Sequence, residues 1–204
     1  PTLSRLLSND QVDEALDMQN RGIELALFLT LPATAAFLTI SEPIVRGLFE
    51  YGAFSAQDTR ATALVLAAFS LGLPAYILIK VLTPGYYARS DTRTPVRFAI
   101  IAIMVNIVGN IALIPTIGYL GPPVATAVSA AINAALLFWT LRKRGQFAAD
   151  ARLLRRLPRL ALAAAIMGGA LALSRPLIAP FMAGDMVSGF LPETRHGVLF
   201  ETRD

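Results

Sequence analysis

Lys80 is the formal charge that lies deepest inside an apolar stretch of this 204-residue chain. An ammonium held at mid-membrane costs about 3 kcal/mol on insertion scales, so such a group faces a cavity or a partner. The alternative is snorkelling, since the long stem of a lysine one to two turns from a helix end lifts its charge to the interface. Both readings stand at this point. Asn106 and Asn110 are four residues apart in a second apolar stretch and so share one helical face. Their amide oxygens suit a hard cation or a polar head group. They suit equally well the interhelical hydrogen bonds that act as packing glue in membranes, worth about 0.6 kcal/mol each on average. Thr126, Ser129 and Asn133 lie in the following stretch, interleaved with Ala125, Ala127, Ala130 and Ala131, small residues that let two helices approach closely.

Other chemistry has little to stand on. There is no cysteine, and the single histidine is His196 in a polar tail, which excludes thiolate and multi-histidine metal sites. No nucleophile–base pair, Walker-type glycine loop, paired-carboxylate site or EF-hand pattern occurs. The sequence predicts a protein that is not an enzyme and has neither catalytic nor metal-ligating residues.

The elements that must position these side chains are long and apolar. The segment Phe98–Leu141 contains no Asp, Glu, Lys or Arg, twice the length one span needs, and it is punctuated once, between Pro115 and Pro123. Mean hydropathy is +0.57 and charged residues make up 16%, against about 25% in a soluble domain. Five membrane helices are predicted, at 22–41, 60–84, 97–114, 122–141 and 158–181, the third and fourth forming a hairpin. Residues 1–21 read as a linker following an earlier helix, 142–157 as a basic loop, and 182–204 as a polar tail too short to span. Pro32 and Pro74 predict kinks in the first two spans, Pro84-Gly85 a helix stop, and Gly168-Gly169 a packing notch. The chain opens at Pro1 without the basic segment and cleavage site of a signal peptide, so a piece of something longer is expected.

Basic residues set the expected orientation. Arg5, Arg21, Arg89, Arg93, Arg97, Arg142, Lys143, Arg144, Arg152, Arg155, Arg156 and Arg159 fall on one side of the alternating spans. Only Arg46, Arg60, Arg175, Arg195 and Arg203 fall on the other. The positive-inside rule places the richer side, and with it the N-terminus of this chain, in the cytoplasm. The formal net charge of +4 therefore reflects topology, and no nucleic-acid partner is expected. Glu24, beside Arg21, reads as a solvated acid in the first turn of its helix.

Three stretches then resemble a known family: Leu48-Phe49-Glu50-Tyr51-Gly52-Ala53-Phe54, Lys80-Val81-Leu82-Thr83-Pro84-Gly85-Tyr86-Tyr87-Ala88-Arg89, and Asp91-Thr92-Arg93-Thr94-Pro95. They are similar to the MurJ (MviN) family of lipid II flippases, within the multidrug/oligosaccharidyl-lipid/polysaccharide (MOP) exporter superfamily. The resemblance covers about residues 1–180, which would correspond to helices 9 to 13 of fourteen. It implies an all-α polytopic bundle, part of a MOP-type, MATE-like C-lobe plus one accessory helix, in the bacterial inner membrane. It further implies transport of undecaprenyl-diphosphate-linked disaccharide-pentapeptide by alternating access, with lipid II, membrane lipids and the N-terminal lobe as partners. Lys80 is then a substrate-pathway candidate, although the fragment alone is expected to be inactive. Some family members bind sodium through an Asn and an acid four residues apart. Asn106 and Asn110 match that spacing, with Asn in place of the acid, and Thr126 joins them as a candidate. Two alternatives remain: a flippase for another polyprenyl-linked saccharide of O-antigen type, and a non-transporting membrane scaffold or remnant.

Overall fold

The computed structural model describes residues 5–6 and 11–182, the side chains of 175 and 177–182 excepted. His196 and the tail from 183 onward lie outside the described residues. The described residues form helices without any strand: α1 (Val12–Phe49), α2 (Ala56–Ser70), α3 (Leu73–Tyr87), α4 (Arg93–Ile117), α5 (Gly121–Lys143) and α6 (Ala151–Met182), with a 3₁₀ turn at Gly118–Leu120 between α4 and α5.

Local chemistry sets most boundaries. Ser55 caps α2 in a reciprocal box, its hydroxyl accepting from the Asp58 N–H while the Asp58 carboxylate accepts from the Ser55 N–H at 2.9 Å. α2 and α3 are two halves of one span, interrupted at Leu71-Gly72, with Pro74 in the first turn of α3 where its missing N–H costs nothing. Pro74 thus starts a helix half, where a mid-helix kink was expected. In α1 the distortion also lies elsewhere than expected: the backbone is non-helical at Ile40 (φ −119°, ψ 21°), one turn ahead of Pro43, and not at Pro32. Pro43 offers no N–H to the Thr39 carbonyl, which frees the preceding turn to open. At Pro84, where a helix stop was expected, α3 continues to Tyr87. The proline leaves the Lys80 carbonyl without an intrahelical donor, yet the helix survives.

α4 and α5 pack antiparallel as the predicted hairpin, so the 51-residue apolar segment Arg93–Lys143 holds two crossings. Small residues set the spacing. A methyl group on Gly109 would stand 3.0 Å from the Ala125 Cβ, and one on Gly121 would stand 2.9 Å from the backbone N of Ile114. α6 packs along α1, with Gly168 seated against Ala35 and Thr39 as the expected notch, while Gly169 faces open space.

The largest apolar cluster joins Ile23 of α1, Leu82 and Tyr86 of α3, Leu137 and Leu141 of α5, Phe147 of the α5–α6 connection and Leu153 of α6. It sits at the end of the bundle that carries most of the basic residues. The outer face of α4 shows the reverse of a soluble pattern, with Ile100, Ile103, Ile107, Ile111 and Ile114 exposed. Four described segments are long and apolar enough to cross a bilayer. Counting the hairpin twice gives the five crossings read from the sequence.

Candidate functional site

α4 and α5 bring the predicted polar residues together. Asn106 Nδ2 donates to Thr126 Oγ1 at 3.1 Å, and Thr126 in turn donates to the Pro122 carbonyl at 2.7 Å. Asn110 Nδ2 donates to the Asn106 carbonyl at 2.8 Å and to Asn106 Oδ1 at 3.1 Å. Ser129 closes onto the Thr126 carbonyl at 2.9 Å. The chain of bonds runs across the hairpin, and this is the glue geometry of two membrane helices.

Asn106, Thr126 and Ser129, though not Asn110, also wall an open recess of about 350 Å³ between α3, α4 and α5, together with Tyr76, Asn133 and apolar side chains. Tyr76 was not singled out from the sequence. Its ring lies over Gly72, where even a methyl group would approach the phenol oxygen to 2.5 Å, and a glycine one turn ahead of a tyrosine is the signal that would have pointed to it. The Tyr76 hydroxyl and Asn133 Oδ1, on two of the lining residues, are buried without a protein partner.

The donor set is neutral. Asn106 Oδ1 is engaged by Asn110, Thr126 Oγ1 is engaged by Asn106, and no group of three His, Cys, Asp or Glu occurs among the described residues. The oxygens of Asn106 and Thr126 are thus already engaged in hydrogen bonds within the hairpin.

Lys80 lies outside that cavity. It is exposed, on a stripe of α3 with Pro84 and the half-exposed Tyr87, spaced three to four residues apart and so on one face. The opposite face of α3, through Ala75, Leu82, Gly85 and Tyr86, is buried in the bundle. Lys80 therefore points away from the helices this chain supplies.

Glu24 departs from expectation. It lies a dozen residues inside α1 and is mostly buried, paired with Arg156 of α6 across the helix interface. A half-shielded ion pair between helices replaces the solvated first-turn acid, because α1 begins at Val12, well before the apolar stretch.

The stretch Pro84–Pro95 forms a corner. Tyr86 is fully buried and its hydroxyl donates to the Leu137 carbonyl at 2.6 Å. Arg89 reaches the Gly85 and Gln146 carbonyls at 2.7 and 3.0 Å. Asp91 caps the start of α4 through the Thr94 N–H and hydroxyl and pairs with Arg144 at 2.6 Å. The Thr94 hydroxyl and Arg144 hold the Asp91 carboxyl down to about 2. A depressed carboxyl stabilises the fold above its ordinary pKa and loses that contribution as pH falls toward 2, so this corner stays intact throughout the neutral range.

With this geometry in view, the comparisons decide the family. A family model described as Lipid II flippase MurJ matches residues 1–191. The chain belongs to the MurJ family. It is 50% identical over 171 residues to the probable lipid II flippase MurJ of Rhizobium meliloti (strain 1021), covering 84% of this chain and 32% of that protein. It is 40% identical to the Vibrio cholerae protein of the same description, again over 84% of this chain and 33% of the relative. The solved structure of lipid II flippase MurJ in an inward closed conformation superposes with a TM-score of 0.62 at 26% identity, over 88% of this chain and 42% of that one. The chain thus spans about a third of the length of the curated relatives it matches, and it is an all-α, multi-pass membrane bundle of the MurJ kind.

Proposed function

We propose that this chain is the C-lobe portion, plus one accessory helix, of a lipid II flippase in the bacterial inner membrane. The observation that carries the reading is the family match over residues 1–191. Transporters built from repeated lobes expose a site alternately to either side by rocking one lobe against the other. In this reading the chain supplies the wall of one lobe and Lys80 faces the space between lobes. Its ammonium is suited to one phosphate of a polyprenyl diphosphate, as a point charge with three donors. The reaction is movement of an intact lipid, with no bond made or broken.

Lys80 separates the transport role from simple snorkelling. In the full-length protein, Lys80→Gln should lower complementation of a flippase-depleted cell at least tenfold while the amount of membrane-inserted protein stays the same. Normal growth with Lys80→Gln would return the residue to the role of an interface anchor.

The orientation proposed has residues 1–21, 85–97 and 142–158 in the cytoplasm, supported by the bias of basic residues. Ser90 is exposed in the α3–α4 turn, and a cysteine placed there should react with a membrane-impermeant reagent only after the cells are opened. Labelling of intact cells at Ser90→Cys would invert the topology.

A further inference from the structure

The connection between α5 and α6 is short; two side chains from elsewhere in the fold hold its backbone, and one of its own side chains ties it to α4. Asn20 of α1 donates to the Ala148 carbonyl at 2.9 Å and accepts from the Asp150 N–H at 3.4 Å. Arg89, just past the end of α3, donates to the Gln146 carbonyl at 3.0 Å. Arg144 ties the start of the connection to Asp91 and Thr94 at the head of α4. Between these ties Phe147 is buried against Phe138, ring centres 5.2 Å apart. Gly145 turns the chain at φ +67°, with the Gln146 N–H closing onto the Leu141 carbonyl at 2.9 Å. Asp150 then caps α6 by accepting from the Leu153 N–H at 2.6 Å. Backbone carbonyls in a surface loop ordinarily turn to water, and loops are the mobile parts of a fold. Here two successive stretches of the loop are held by buried or half-buried side chains.

The packing partner of α6 in the bundle is α1, and the outer face of α6, at Leu154, Leu162, Ile166 and Leu173, is exposed. We infer that residues 144–150 form a strap that makes α6 one rigid body with the α3–α5 bundle, with Asn20, Arg89 and Arg144 as positioning residues, and that transport requires this rigidity. The strap gives the Pro84–Pro95 stretch a structural task separate from any contact with the transported lipid. Gly85 lets Gln19 of α1 lie flat on α3, Tyr86 anchors α5, and Arg89 and Asp91 hold the strap from two sides.

The test uses the full-length protein in nanodiscs, any other cysteines replaced, with spin labels on Arg97→Cys of α4 and Arg155→Cys of α6, both exposed. The inter-label distance distribution should be narrow, and roughly twice as wide in the Asn20→Ala/Arg89→Gln double variant. Arg144→Gln, altering a side chain that is 42% exposed, gives a milder widening and guards against a double variant that fails to fold. Arg152→Gln, exposed and outside the strap, should leave the width unchanged. Complementation should fall along with the widening. An unchanged width in both strap variants, or a widened distribution with full complementation, would overturn the inference. The growth arm alone rests on the flippase reading. If the unaltered full-length protein does not complement, that reading fails while the distance measurement still judges the strap.

Discussion

Residues 1–204 expressed alone should insert into the membrane and yet leave a flippase-depleted cell unable to grow. The physical reasons are charge and architecture. A diphosphate head group leaves water only for fixed cationic partners, typically arginine forks or several donors together. Lys80 is an exposed cation flanked on both sides by apolar residues, and its stripe on α3 lies opposite the buried face of that helix. One point charge with no facing wall is a poor match for two phosphates. The matched part of this chain covers 32% and 33% of two relatives, and alternating access needs a second lobe to rock against. The expected readout is a normal membrane-fraction signal for the fragment, with colony counts at the level of an empty vector. Colony counts matching those of a full-length relative would show that these five crossings transport by themselves and would refute the two-lobe account.

The second large effect is expected at the α4–α5 turn. Gly118 adopts φ +59°, ψ −128°, a region glycine alone enters freely. Three residues on, a side chain at Gly121 would meet backbone and nothing softer: Ile114 N at 2.9 Å, the Leu113 carbonyl carbon at 3.1 Å and Ile114 Cα at 3.2 Å. A flexible neighbour could swing aside, but a helix backbone moves only by prising the hairpin apart. Gly121→Val should therefore cost about 3 kcal/mol, the upper part of the overpacking range, and should also break the Asn106–Thr126 bond one turn further along. Gly169→Ala, at a glycine with nothing near it, is the matched control. It should be neutral or stabilising by up to about 1 kcal/mol through helix propensity. Thermal unfolding in detergent should separate the two variants by well over 5 °C. Equal melting points would mean that the tight turn does not hold the hairpin.

The spans were legible because a bilayer imposes a length and a hydrophobicity that sequence displays openly. The Asn106–Thr126 contact was legible for a related reason. Small residues on α5 and polar residues at helical spacing on α4 leave few ways to pack the pair. The backbone opens at Ile40, ahead of Pro43, while Pro32 stays within the helix, because a proline marks where a hydrogen bond is lost and packing decides which loss opens the helix. Glu24 was misread because the start of α1 lies ten residues ahead of its apolar stretch, and its partner Arg156 is 132 positions away. The strap was illegible for the same reason. Asn20 and Ala148, or Arg89 and Gln146, are joined only by the fold, and a loop of mixed polarity carries no periodicity that would announce its partners. The direction of Lys80 belongs to the same class, since a lone charge in a span has no sequence mark telling an open face from a buried one.

The central claim, that this chain forms part of a machine that carries lipid II across the membrane, is tested most directly by the leaflet in which lipid II resides. In cells depleted of their own flippase, the fraction of lipid II cleaved by an externally added, impermeant lipid-II-degrading enzyme should rise to the undepleted level when the full-length protein containing this chain is supplied. It should stay near the depleted level with Lys80→Gln. An outer-leaflet fraction that remains at the depleted level, with the unaltered full-length protein present in the membrane in normal amount, would contradict the account.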